Sequence, residues 1–192
     1  MGLRFNHEDQ FSGVNSFIKG KSTANERIEK FWGLMRNHTI EFYIRLFKYM
    51  EHVGLLNTAN ILDIEFLRFC FGPLIKNDLQ RCMKEFNEHR LRNQPRINVP
   101  SAIPSILFYW PEKYGGYDCQ KEYNKISAER LEPVYTKEPK LYNDNTEDLV
   151  KILIPDVATP LTSEQAYYLF TELKELVVNN FKELYEKSVY AK

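Results

Sequence analysis

Glu29 is the strongest candidate for chemistry in this 192-residue sequence. It lies on the polar flank of a predicted helix that begins within residues 22–32, where Thr23 and Glu26 have the spacing of a capping box. The helix puts this one carboxylate on a polar face that aromatic residues back.

The alternative for Glu29 is an exposed helix glutamate that forms an ion pair with Arg36 or Lys21. Asn25 lies one turn before Glu29, and Arg27 carries a planar guanidinium that suits phosphate oxygens. These two residues can orient Glu29 or contact a phosphate group, and they can equally be capping and surface residues. The candidate nucleic-acid-binding residues of this region are Asn25, Arg27, Lys30 and Arg36.

Aromatic residues form the opposite side of the same predicted helix. Phe31 and Trp32 recur with Ile28 and Met35 at helical spacing. Aromatic residues in such a stripe are more often part of a core than a platform for stacked bases. We therefore predict that Phe31 and Trp32 are structural core residues.

A second basic group follows in residues 89–98, which contain no acidic side chain. Arg90, Arg92 and Arg96 can follow a nucleic-acid backbone, which would give sequence-independent and salt-sensitive affinity. The alternative is an ordinary solvated loop. His89 is predicted to be a structural residue that tethers this loop. Through residue 111 there are 15 Lys and Arg against 11 Asp and Glu, a charge of +4 that the rest of the chain offsets.

Composition limits the class of protein. Hydrophobic residues make up 43% of the chain, which favours a folded domain, and no apolar run predicts a signal peptide or a transmembrane helix. The three cysteines, Cys70, Cys82 and Cys119, have no metal-binding spacing. We expect them to be reduced thiols of an intracellular protein.

Hydrophobic periodicity predicts a mainly α chain with one residual N-terminal strand at most, near residues 14–18. Helices are predicted over 40–53 and 61–89, the first stopped by Gly54 and the second kinked or divided at Gly72 and Pro73. A short helix bracketed by Pro100 and Pro104 is predicted to carry Ile103, Ile106, Leu107 and Trp110. Residues 1–116 are predicted to form one domain, 117–160 a largely irregular linker that touches the fold once, near 149–154, and 161–192 an amphipathic helix.

The predicted C-terminal helix begins with Thr162 and Gln165 at the spacing of a capping box. Two interpretations of it stay open. It can fold back onto apolar surface of the helical region, or it can dock onto another chain.

Several ordered segments resemble the metazoan, transposon-derived integrase core domain family, a DDE integrase/transposase group with a ribonuclease-H-like fold. Asn25-Glu-Arg-Ile-Glu29-Lys-Phe-Trp32 is similar to its N-x-R-I-E-x-x-W signature, and residues 66–75 resemble its aromatic helix. Phe86-Asn-Glu-His89 with Arg92 resembles its W-N-x-H-x-x-R element, with Phe in place of Trp. Residues 103–112 resemble the proline-bracketed segment that closes the domain.

The resemblance implies a mechanism in which three acids hold two Mg²⁺ ions for phosphoryl transfer. Glu29 matches the third acid, and the first two acids of the family are Asp residues on upstream strands. Asp9 is the sole Asp before Glu29 and lies too near it by the spacing of the family. We therefore expect the helical C-terminal half of an integrase core in which Glu29 is a vestigial catalytic and metal-binding residue, with no cofactor for this chain.

The resemblance further implies a DNA-integration lineage, possible DNA binding without catalytic activity by this chain alone, and a nuclear location, otherwise a cytoplasmic one. A second hypothesis is a helical protein–protein interaction module, because a half-domain exposes apolar helix faces that favour self-association or a protein partner. A third is an active Mg²⁺-dependent polynucleotidyl transferase, if upstream sequence or a second subunit supplies two Asp residues. No membrane partner is expected.

Overall fold

The computed structural model of the chain is mainly helical, as predicted. It describes residues 4, 7–16, 20, 26–92, 100–118, 121–136 and 138–190, without the side chains of 26, 27 and 182–190. No β-strand occurs in these ranges. The strand predicted near Val14 is wrong over Gly13–Ser16, a 3₁₀ helix in which the Ser16 hydroxyl donates to the Gly13 carbonyl at 2.6 Å. Residues 17 and 18 of that predicted strand lie outside the described ranges.

The described part of the chain contains seven α-helices. They are α1 (Glu26–Met35), α2 (Glu41–His52), α3 (Ile61–Glu88), α4 (Pro104–Tyr109), α5 (Lys125–Tyr135), α6 (Asp144–Leu153) and α7 (Ser163–Tyr190). No helix among the described residues is both long and apolar enough to cross a lipid bilayer.

A π-helical turn, Arg36–Ile40, follows α1 and leads directly into α2. The backbone N–H of Glu41 donates to the carbonyl of Arg36, five residues earlier, which is the hydrogen bond of a π-helix. At the other end of α2, Gly54 has φ +72° and stops the helix as predicted. Glycine adopts this left-handed conformation without the steric cost that a Cβ would add.

α3 runs through Gly72 and Pro73 as one helix, so the prediction that two helices meet there is wrong. Pro73 removes one backbone N–H donor but does not end the helix, because apolar residues on both sides of it are buried. A Cβ on Gly72 would lie 3.2 Å from Cδ1 of Leu141. The missing side chain of Gly72 therefore permits close packing of the segment before α6.

The prediction of a largely irregular linker is wrong over α5 and α6. The side chain of Asn124 caps α5 by accepting from the N–H of Ser127 at 2.9 Å, and Asn143 caps α6. The apolar run that was expected to touch the fold does so, since Val150 on α6 is completely buried. The caps of both helices and the buried Val150 of α6 thus stabilise helices in a stretch that has few apolar residues.

One compact unit consists of Leu34–Met83 and Lys140–Lys192. Its core is formed by side chains from α2, α3, α6 and α7 and the loop after α2: Tyr43, Met50, Leu56, Phe66, Cys70, Phe71, Leu74, Val150, Ala166, Phe170 and Leu173. The fold-back interpretation of the C-terminal helix therefore holds for the part of α7 that carries Ala166, Phe170 and Leu173. The predicted capping box is also present, with the N–H of Gln165 donating to the Thr162 hydroxyl at 3.2 Å.

A buried ion pair joins α7 to the start of α3 within the same unit. Lys174 Nζ lies 2.6 Å from Oδ2 of Asp63, whose residue is only 2% exposed. Lys174 also donates to the carbonyl of Leu55, and Asp63 accepts from the N–H of Asn57 at 2.8 Å. These bonds attach α7 to the loop between α2 and α3.

The other compact unit consists of Met1–Gly33 and Lys84–Pro139, so the two units do not follow the predicted boundaries at residues 116 and 160. In this unit Arg4 donates hydrogen bonds to the carbonyls of Phe11 and Glu122 and pairs with Asp9. Lys121 Nζ lies 5.4 Å from the ring centre of Phe11, a cation–π distance.

Candidate nucleic-acid interface

α1 presents Glu29 and Lys30 as exposed residues, as an amphipathic helix with a polar flank should. Asn25 lies outside the described residues, and so does the side chain of Arg27. Of the other polar residues predicted with Glu29, the side chains of Lys30 and Arg36 lie within the described residues.

Arg36 lies next to the first residue of α2. Its Nε lies 4.0 Å from Oε2 of Glu41, and Glu41 also accepts from Arg45 at 3.0 Å. The pairing of Glu29 with Arg36 stays a prediction. Lys21, the other proposed partner, lies outside the described ranges.

Phe31 packs on Phe86 near the C-terminal end of α3, with ring centres 4.7 Å apart. This contact brings the helix that carries Glu29 and Lys30 against the end of α3. Trp32 is 65% exposed, so its assignment to the core is wrong. Successive helix residues point about 100° apart, so Trp32 does not point in the direction in which Phe31 meets Phe86.

The acids near the N-terminus do not form a metal site with Glu29. One carboxylate oxygen of Asp9 accepts from the N–H of Phe11 at 2.8 Å, and the other pairs with Arg4. In the part of the chain that the structure describes, no three His, Cys, Asp or Glu side chains are grouped closely enough to hold a metal ion. The donor set of these residues therefore does not fit the two-Mg²⁺ site that the family resemblance implies.

Arg90 and Arg92 lie directly after α3 and are both exposed, whereas Leu91 between them is half-buried. The N–H of Leu91 donates to the carbonyl of Ala102 at 2.9 Å, and the Ser101 hydroxyl donates to the carbonyl of Leu91 at 2.7 Å. Ala102 is completely buried. The backbone between the two arginines is therefore held in place, and both guanidinium groups extend into solvent.

Charge favours this position for an anionic ligand. Within the described ranges no carboxylate pairs with Arg90 or Arg92, and the nearest acid on α3, Glu88, faces Lys84 at 4.0 Å. Arg96, the third predicted arginine, lies outside those ranges. His89 is exposed and directly follows α3. Its backbone N–H donates to the carbonyl of Glu85 at 2.9 Å. No side-chain contact supports the predicted tethering role of His89 within the described residues.

Three consecutive aromatic residues at the end of α4 were not predicted as functional. Phe108, Tyr109 and Trp110 are 79%, 73% and 64% exposed. Tyr109 and Trp110 line an open groove of about 460 Å³ together with Ser105 and Ile106. The sequence contained a signal, because three successive residues of the helix predicted in this segment would span about 200° and could not all face one core.

Comparison with known protein families identifies the family of the chain. A family model described as "Integrase core domain" matches residues 5–103, slightly more than half of the chain. The match includes α1, α2, α3 and the two exposed arginines after α3. No curated protein and no solved structure matches the chain. The chain belongs to the integrase core domain family.

Proposed function

We propose that this integrase-core protein binds nucleic acid through the sugar–phosphate backbone, in a process related to DNA integration or transposition. The observation that carries the proposal is the pair of exposed guanidinium groups at Arg90 and Arg92, presented from a backbone that is hydrogen-bonded to Ser101 and Ala102. Lys30, exposed on α1, adds a positive charge to the same unit.

Arginine suits this role because its planar guanidinium can donate two parallel hydrogen bonds to phosphate oxygens. Backbone contacts of this kind position a nucleic acid without reading its sequence. Binding through Arg90 and Arg92 should therefore be sequence-independent and should weaken steeply as salt rises, because each neutralised phosphate releases counterions.

The chain alone should not catalyse polynucleotidyl transfer. Glu29 is exposed and has no metal-binding group of acids around it among the described residues, and both carboxylate oxygens of Asp9 are already engaged by Arg4 and Phe11. A strand-transfer assay in Mg²⁺ and Mn²⁺ should give no product above that of the Glu29→Gln variant. Product that disappears in Glu29→Gln would establish the active-enzyme alternative, with the remaining ligands supplied from elsewhere.

A protein that acts on chromosomal DNA must reach it, so the proposal includes a nuclear location. Imaging of the endogenous protein with an antibody, against a nuclear and a cytoplasmic marker, tests this part separately. An exclusively cytoplasmic signal would contradict it, while leaving the binding measurements unaffected.

Binding is tested with a fluorescent 20-base-pair duplex, titrated with the full chain at several salt concentrations. We compare wild type with Arg90→Gln/Arg92→Gln and with Arg45→Gln/Lys151→Gln. The control pair removes the same charge from exposed side chains that are ion-paired with Glu41 and Glu147.

The Arg90→Gln/Arg92→Gln variant should lose affinity, and the slope of log affinity against log salt should fall by about 1.8, or about 0.9 per lost phosphate contact. The control variant should retain most of both quantities. No binding of wild type to duplex or single-stranded DNA at low salt would contradict the proposed function. Equal losses in both variants would contradict the assignment to Arg90 and Arg92.

A further inference from the structure

The aromatic edge of α4, defined as Phe108, Tyr109 and Trp110, is a run of three exposed aromatic side chains in the unit that carries the exposed arginines. All three side chains are mostly exposed, although large aromatic residues normally bury much of their surface. The rings of Phe108 and Tyr109 meet edge to face with centres 5.1 Å apart, which restrains their orientation. The backbone of Trp110 leaves the helix, with φ −136° and ψ 62°.

This edge lies within reach of Arg90 and Arg92. The N–H of Leu91 is hydrogen-bonded to the carbonyl of Ala102, and α4 begins two residues later at Pro104. Five residues of helical rise at about 1.5 Å each, plus at most about 7 Å for the two residues before Pro104, place the Cα of Tyr109 within about 15 Å of the Cα of Ala102. A few nucleotides can bridge the arginines and the aromatic edge.

The combination of positive charge and exposed rings selects one form of nucleic acid. Single strands expose the faces of their bases, which stack on aromatic side chains whatever the sequence, while arginines hold the backbone. The bases of a duplex are already stacked on each other and cannot do so. Resting on the proposed function, we infer that this site binds single-stranded nucleic acid, with unpaired bases stacked on Tyr109 and Trp110 and backbone phosphates on Arg90 and Arg92.

The charge of this site favours a polyanionic ligand. Residues 90–113 carry Arg90, Arg92, Arg96 and Lys113 against the acid Glu112, a charge of +3 that exceeds the −2 of Glu85 and Glu88 just before them. A second copy of the chain would bring the same uncompensated arginines against each other, and like charges at an interface oppose association.

Fluorescence anisotropy of the full chain with a labelled 20-nucleotide oligo(dT) and with a 20-base-pair duplex tests the inference. The variants are Tyr109→Ala/Trp110→Ala, the conservative Trp110→Phe, and the control Tyr49→Ala/Tyr168→Ala. The control removes two exposed aromatic side chains, from α2 and α7. Circular dichroism verifies that each variant keeps its helix content, and sedimentation velocity gives its assembly state.

Oligo(dT) affinity should fall on the order of tenfold or more in Tyr109→Ala/Trp110→Ala, while duplex affinity stays unchanged. Trp110→Phe should retain most of the oligo(dT) affinity because phenylalanine can still stack, and the control variant should match wild type. In a Trp32→Phe background, bound oligo(dT) should quench the fluorescence of Trp110, the remaining tryptophan of the two in the chain.

Three outcomes overturn the inference. If duplex binds and oligo(dT) affinity does not change in the aromatic variant, the proposed function stands and the single-strand assignment fails. If neither nucleic acid binds at low salt, both fail. If the aromatic variant alters sedimentation without altering oligo(dT) affinity, the aromatic edge is a contact between copies of the chain.

Discussion

The carboxylate of Glu65 on α3 accepts a hydrogen bond of 2.8 Å from the backbone N–H of Asn143, the residue that caps α6. The same oxygen accepts from the hydroxyl of Thr146 at 3.0 Å, and the other oxygen pairs with Arg68. Glu65 lies within residues 5–103, which match the family model, and it attaches α6, which lies outside that region. The hydrogen bond from Asn143, followed by those from Thr146 and Arg68, holds the pKa of Glu65 below its ordinary value of 4.5.

Replacing Glu65 by Gln should lower the free energy of unfolding at neutral pH by about 1–2 kcal/mol, because bonds to a charged acceptor become weaker. A carboxylate whose folded pKa is lowered binds fewer protons in the folded than in the unfolded state. Its contribution is therefore complete above pH 4.5 and is lost as pH falls through the folded pKa.

Urea unfolding of wild type and Glu65→Gln at pH 7 and at pH 3 measures this difference. The gap between the two proteins should shrink at the lower pH. The control Glu164→Gln, an exposed first-turn glutamate of α7, should change stability by much less. A gap that widens on acidification would contradict the assigned role of Glu65.

Lys174 neutralises the buried carboxylate of Asp63. Lys174→Met should destabilise the chain by about 2–3 kcal/mol, because it leaves a buried charge without its partner. In the double variant Asp63→Asn/Lys174→Met much of the loss should be recovered, since the amide oxygen of Asn can still accept from the N–H of Asn57. Denaturant midpoints of wild type, Asp63→Asn, Lys174→Met and the double variant measure the energetic coupling between the two residues. Additive effects of the two substitutions would show that the pair does not act as a unit.

Cys70 should be chemically inert in the folded protein. It is completely buried, and burial raises the pKa of its thiol to about 12. At pH 8 only about one thiol in ten thousand would be ionised, and the thiolate is the reactive form. After brief treatment with iodoacetamide, mass spectrometry should find Cys70 unmodified in native protein and modified in urea. Modification at equal rates in both conditions would mean that Cys70 is accessible.

The main helices could be predicted because their apolar residues recur at helical spacing, which is visible in the sequence. α3 and α7 bury such residues, among them Phe66, Phe71, Phe170 and Leu173, and Gly54 marks the end of α2 by a conformation that glycine favours. α5 and α6 could not be predicted in this way. α6 depends on Val150 and on Glu65, which lies 78 residues before Asn143 in the chain.

The candidate site was predictable in part. The absence of acids around Arg90 and Arg92 is visible in the sequence, and both side chains are exposed in the structure. The exposure of Trp32 was not predictable, because periodicity places residues on one face of a helix without showing what covers that face. The hydrogen bond between Leu91 and Ala102 joins residues that are 11 positions apart in the chain, and nothing in local spacing indicates it.

The measurement that tests nucleic-acid binding by this site most directly is photo-crosslinking to a 4-thiothymidine oligonucleotide, followed by mapping of the linked peptides by mass spectrometry. We expect links within residues 85–113, with Tyr109 and Trp110 among the linked residues, and we expect these links to be lost above moderate salt. Links confined to α2 or α7, or the same yield in Arg90→Gln/Arg92→Gln as in wild type, would contradict it.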